Sequence, residues 1–189
     1  MNYQIEIENN GKKIKTLADI LPNKSPIKML IIGKVPAHIS VSAGHYYQGR
    51  QGTMFWNKLK DYGLLKYPSG QFEDETLIDH GYGITDIVKI PRDYRDEPTN
   101  QEYKDGWVRV DLLLIQLQPK LILFVYKKPL DKVLNIFYNR WEKTKYGLNS
   151  DLEELFQAKV FVFPMPGTPC NSEEAHTAMT ELQNFLQLN

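Results

Sequence analysis

The sequence predicts a three-layer α/β/α domain around a central, mostly parallel sheet of four strands. Three observations carry this. Four short apolar runs, 28–33 ("KMLIIG"), 82–88 ("YGITDIV"), 120–126 ("KLILFVY") and 159–164 ("KVFVFP"), are continuous rather than alternating, as strands covered on both faces are. Helical patterns separate them, which is the order of βα units. A chain of 189 residues, 42% hydrophobic and 24% charged, suits one folded domain over 1–189 rather than a disordered segment.

In chain order, residues 1–15 read as a polar N-terminal extension without the apolar core of a signal sequence. After the first run, 53–65 ("TMFWNKLKDYGLL") places Phe55, Leu59 and Tyr62 at helical spacing. The polar stretch 91–106 ("PRDYRDEPTNQEYKDG") reads as a surface loop. The pattern over 101–118 is interrupted by Gly106, and its later half, Val108 to Leu117, reads as a helix ended by Pro119. In 129–141, Leu130, Val133, Leu134 and Phe137 share a face, with Pro129 suited to a first turn. The last helix, 172–188, opens with Asn171 as cap and Glu174 three residues on.

Composition narrows the function. Lys+Arg and Asp+Glu both number 23, which excludes a protein that coats nucleic acid by bulk charge and leaves room for a local basic patch. The single Cys170 excludes an intrachain disulfide and a Cys-rich zinc site. His38, His45, His80 and His176 lack metal-ligand spacing, so no metal site is expected. No apolar run approaches the ~20 residues of a membrane span. The expectation is a cytoplasmic monomer. No phosphate loop, dinucleotide fingerprint or Gly-x-Ser-x-Gly elbow is present.

In an open α/β sheet, ligands bind beyond the carboxyl ends of the strands. That directs attention to 33–47, 85–95, 127–128 and 164–171. The segment 44–56 ("GHYYQGRQGTMFW") is an aromatic, glycine-rich loop running into a helix. Such aromatics can stack on a planar ring while glycine amides reach phosphate or base edges. Tyr46, Phe55 and Trp56 also read as core aromatics, and for Phe55 and Trp56, inside a helix, that is the favoured reading. Tyr47 has both an apolar body and a polar tip to use.

The residues of 33–56 ("GKVPAHISVSAGHYYQGRQGTMFW") resemble the first signature of the mismatch-specific uracil- and thymine-DNA glycosylases. In it a strand ends in Gly-x-Asn-Pro, a Gly-His-x-Tyr loop follows, and Phe-Trp opens a helix. Gly33, Pro36, Gly44, His45, Tyr47, Phe55 and Trp56 fall in matching places, with one extra residue between Tyr47 and Phe55. The lead-in "TLADILPNKSPIKMLIIG", the segment "DHGYGITDIVKIP" and the loop "FPMPGTPC" resemble further parts of the family, over about 16–187.

The resemblance implies a monofunctional glycosylase of base-excision repair that needs neither metal nor organic cofactor. It would flip uracil or a related mispaired or deaminated base out of duplex DNA and hydrolyse its glycosidic bond. It implies a base pocket of Gly33, Lys34, Val35, Pro36, Ser40, His45, Tyr47 and Met165, with Tyr47 stacked on the base and Ser40 near its polar edge. Thr85 would help hold the attacking water. Met165 to Pro169, with Pro166, Gly167 and Thr168 between them, would form a DNA-penetrating loop with Pro169 near its tip, and Asn171 lies just beyond it. Lys34, Arg50, Lys127 and Lys128 are expected to gather at one sheet edge as phosphate contacts.

One position departs from the pattern. Val35 stands where the family places the Asn that positions water, and an isopropyl group neither accepts nor donates a hydrogen bond. Losing such a group removes roughly 10²–10³ in rate. Three accounts stand open. His38 or Asp86 supplies the missing chemistry; or weak activity on easily cleaved bases persists; or the chain is a catalytically silent member that binds DNA, a base or a protein. Strand alternation would send Thr85 and Asp86 to opposite faces if the strand continues, which counts against Asp86, although at a strand end that rule is relaxed.

Overall fold

The computed structural model describes residues 1–93 and 95–188. An antiparallel hairpin, β1 (Gln4–Asn9) and β2 (Lys12–Leu17), comes first. The four apolar runs form β3 (Met29–Gly33), β4 (Tyr82–Asp86), β5 (Leu121–Phe124) and β7 (Lys159–Val162). These are the parallel strands of a five-stranded sheet in the order β4-β3-β5-β7-β6. The fifth, β6 (Gly147–Leu148), pairs antiparallel with β7 at one edge and is only two residues long, too short for any periodicity to reveal.

The helices are α1 (His38–Ala43), α2 (Arg50–Asp61), α3 (Asn100–Leu117), α4 (Lys127–Tyr138), the short α5 (Glu153–Phe156) and α6 (Ser172–Leu188). Alternation along each strand divides the core in two. Met29, Ile31, Ile84, Leu121 and Leu123 pack with Phe55 and Trp56 of α2 and Met179 and Leu182 of α6. Leu30, Ile32, Ile122 and Phe124 pack with Trp107 and Val110 of α3 and Leu130 and Val133 of α4. Helices on both faces complete the three layers. Among the described residues no helix is long and apolar enough to cross a membrane.

Three elements go beyond the sequence reading or shift its bounds. The N-terminal extension is folded, because Asn10 and Gly11 take positive φ values of 51° and 72° and close β1 on β2. Asn-Gly is the pair that such a tight turn favours. Helix α3 runs unbroken through Gly106. A Cβ there would lie 2.2 Å from the Ile87 carbonyl oxygen, so glycine lets the helix approach the chain leaving β4. The start of α3 falls inside the stretch read as loop, set by a capping box between Thr99 and Glu102. Helix α4 begins at Lys127, two residues before Pro129, which lies buried in its first turn. The cap on α6 is as read: Asn171 Oδ1 accepts the Glu174 N–H at 2.8 Å.

Candidate functional site

The carboxyl ends of β3 and β4 meet in register, Gly33 beside Asp86. A Cβ on Gly33 would lie 2.0 Å from Asp86 Oδ1 and 2.4 Å from the Tyr47 hydroxyl oxygen. Only glycine leaves room for both groups. Among the described residues, neither oxygen of the buried Asp86 carboxylate has a hydrogen-bond partner, and the buried Tyr47 hydroxyl has none either. Three orphaned polar atoms converging on one glycine are unusual in a folded interior, where buried polar groups are nearly always satisfied.

Tyr47 is held from several sides. Helix α1 ends at Gly44, whose φ of 74° turns the chain back. The buried Asp74 carboxylate then grips the next two residues: it lies 2.8 Å from His45 Nδ1 and accepts the Tyr46 N–H at 2.7 Å. His45 stacks on Phe72 at 3.6 Å. Ser40 Oγ accepts the Gln48 N–H at 3.1 Å, and Trp56 Nε1–H donates to the Tyr46 carbonyl at 3.1 Å. Between these anchors Tyr47 takes a φ of 56°, a strained conformation for a bulky residue. A Cβ on Gly52 of α2 would lie 2.0 Å from the Tyr47 carbonyl oxygen, so this turn also depends on a glycine. The Tyr47 ring, half-buried, leans on Phe55 and Trp56 at centroid distances of 5.3 and 5.7 Å.

Alternation separates the two residues at the end of β4. Thr85 turns toward α3, where its hydroxyl donates to Asp19 Oδ1 at 2.6 Å and accepts from Arg109 at 3.2 Å. Arg109 also donates to Asp19 Oδ2 at 2.6 Å and to the Asp86 carbonyl. Lys89 pairs with Asp19 and donates to the Leu17 carbonyl at 2.9 Å and the Tyr46 hydroxyl at 3.0 Å. Asp86 is the one that shares a face with Tyr47. Asp19, Lys89 and Arg109 were not singled out from the sequence. They come from three distant segments, and only the Asp-Ile-Leu lead-in hinted at the first.

Electrostatics single out Asp86. Burial pushes its carboxyl up to about 7, with Asp19 adding to the rise and Lys89 and Arg109 opposing it. Burial also lowers Lys89 from the ordinary lysine range, against the pull of Asp19 and Asp86. The Tyr47 hydroxyl is raised well above its ordinary value by burial and by Asp86, so it stays protonated. An acid that titrates near neutrality beside a neutral hydroxyl is suited to take up or release a proton at physiological pH.

The other predicted positions lie around this centre. Val35 is half-buried against the apolar cluster of α3 and α4. His38 is exposed at the start of α1, in a cleft of about 580 Å³ that the hairpin shares through Gln4, Ile14 and Lys15. Met165 is buried, and its carbonyl accepts both the N–H and the hydroxyl of Thr168. Gly167, at φ 83°, and Pro169 are exposed at the tip of this turn, and Pro166 is half-buried. Lys58 of α2 ties the turn down by donating to the Pro164 carbonyl at 3.1 Å. The cations do not form a free patch. Lys34 and Lys128 both meet Glu97, and Lys127 lies over the Tyr146 ring at 5.0 Å. Arg50 is exposed at the start of α2. Among the described residues no three His, Cys, Asp or Glu side chains gather as a metal site.

No curated protein matches the chain. The family model described as the uracil DNA glycosylase superfamily matches residues 22–178, which takes in the whole five-stranded sheet, the Tyr47 loop, Asp86 and the 164–171 turn and leaves out the hairpin. The chain belongs to the uracil DNA glycosylase superfamily.

Proposed function

We propose that this protein is a monofunctional DNA glycosylase, acting as a monomer on duplex DNA that carries uracil or a related deaminated or mispaired base, and that Asp86 supplies the acceptor absent at position 35. The observation that carries this reading is the buried, unpartnered Asp86 carboxylate facing the Tyr47 hydroxyl over Gly33. The flipped base rests against Tyr47, and the turn 165–169 enters the duplex to fill the gap. A water oxygen bonds to the sugar C1′ while the C1′–N bond breaks. The electron pair of that bond leaves on the base, and the water proton passes to ionised Asp86. The base departs as an anion, which favours backbone N–H donors around Lys34 over bulk water. Thr85 acts indirectly, as part of the Asp19–Arg109 network that fixes the end of β4.

A competing reading, a silent binding module on the same fold, draws on the apolar packing of Val35. A nicking assay separates the two. Duplexes with uracil, thymine, hypoxanthine or an alkylated base, each opposite several partners, are incubated with protein and cleaved at abasic sites by alkali. Base release that falls roughly 10²–10³-fold in Asp86→Asn supports the glycosylase. Binding without release on every duplex supports the module.

A further inference from the structure

We infer that Lys34 and Lys128 form a binding site for a DNA backbone phosphate, and that Glu97 occupies this site in the free protein. The inference rests on the glycosylase reading and adds a self-blocking contact to it. Chain topology places the pair. The connection leaving β3 runs to β4 on one side, and the connection leaving β5 runs to β7 on the other. Diverging connections open a crevice beyond the ends of β3 and β5, where open α/β sheets bind ligands. Lys34 directly follows β3, and Lys128 lies in the first turn of α4 after β5.

Glu97 lies between them. Its Oε2 is 3.2 Å from Lys34 Nζ and 2.9 Å from Lys128 Nζ, while its Oε1 accepts the Tyr103 hydroxyl at 3.0 Å. Lys34 also donates to the Asp96 carbonyl at 3.4 Å. Two ammonium groups on one carboxylate oxygen make the geometry an anion site, and a phosphate oxygen offers the same acceptor to the same donors. One carboxylate balances only one of the two lysines, so the site keeps a positive excess for an incoming phosphate. Glu97 belongs to the segment joining β4 to α3, which has no regular structure around it. Displacing it requires no element of the sheet to move.

The test is duplex binding across a salt series. Glu97→Gln keeps an acceptor for Tyr103 and removes the charge. It is expected to bind undamaged duplex roughly three- to tenfold more tightly at ~50 mM salt, with the slope of log affinity on log salt steeper by about one. In a Lys34→Ala, Lys128→Ala background the same change is expected to have no effect. If Glu97→Gln, folded by its melting curve, binds no more tightly, or tightens binding without the two lysines, the blocking contact is overturned while the glycosylase reading stands. If no variant binds duplex at any salt, that underlying reading fails. Inorganic phosphate at constant ionic strength is the second arm: strong binding of it without duplex binding would make this a free-phosphate site and overturn the assignment to DNA.

Discussion

Burial keeps the Asp86 carboxyl protonated up to about pH 7, where an ordinary aspartate ionises near 3.8. Between those values the folded state holds a proton that the unfolded chain has lost, so stability falls as pH rises from about 4 to 7. The full penalty, present above pH 7, reaches up to about 4 kcal/mol. Asp86→Asn removes it. The variant is expected to melt higher than wild type at pH 8, with the gap closing toward pH 4, while base release falls roughly 10²–10³-fold. Melting curves at pH 4, 6 and 8 check this, and a variant less stable at pH 8 would contradict an unpaired carboxylate. Tyr47→Phe follows the same logic. A buried hydroxyl without a partner costs about 1–3 kcal/mol. The phenylalanine variant is therefore expected to be as stable as wild type or more so, and slower on lesion DNA. Gly33→Ala acts oppositely, since its methyl would meet both Asp86 and Tyr47. It is expected to cost about 1–3 kcal/mol in a melt and to displace both groups, with base release lost. Val35→Asn would place an amide against apolar side chains. It is expected to lower stability without raising the rate.

At the scale of elements, what the sequence revealed depends on how local each signal is. The four parallel strands were legible because every residue of β3, β4 and β5 is buried, so apolar residues follow one another instead of alternating with polar ones, with Thr85 and Asp86 at the end of β4 as the exceptions. The start of α6 was legible because its capping box lies within four residues. The hairpin carried an equally local signal, Asn10-Gly11 between alternating residues, and the polarity of its exposed strands hid it. Gly106 looked like a break because its reason, the Ile87 carbonyl, lies in another element. The same distance effect governed the site. Alternation at the end of β4 counted against Asp86 in the sequence, and only the Tyr47 loop folding back over Gly33 brings the Asp86 carboxylate to the candidate site. The capping box of α3 yields a further expectation. Thr99→Ala should cost about 0.5–2 kcal/mol in a denaturant melt and loosen the adjoining segment that carries Glu97.

Across the whole molecule, balanced charge conceals an uneven arrangement. Lys34, Lys127 and Lys128 lie beyond the carboxyl ends of β3 and β5, as their positions after those strands required. Their partners did not follow from the sequence, because Glu97 and Tyr146 arrive from connections of unpredictable path. Asp19, Lys89 and Arg109 converge in the same way on the far side of β4. The fold thus combines a buried acid at the end of β4, a strained aromatic loop above it and two lysines paired with Glu97 beyond the ends of β3 and β5. The pH dependence of single-turnover base release from a uracil-containing duplex tests this account most directly, with Asp86→Asn as reference. Only ionised Asp86 can accept the water proton, so the wild-type rate is expected to rise with pH through about 7 and then level off. Asp86→Asn is expected to be flat and roughly 10²–10³-fold slower. A wild-type rate that does not change between about pH 5.5 and 8.5, or an Asp86→Asn variant as fast as wild type, would contradict Asp86 as the catalytic acceptor.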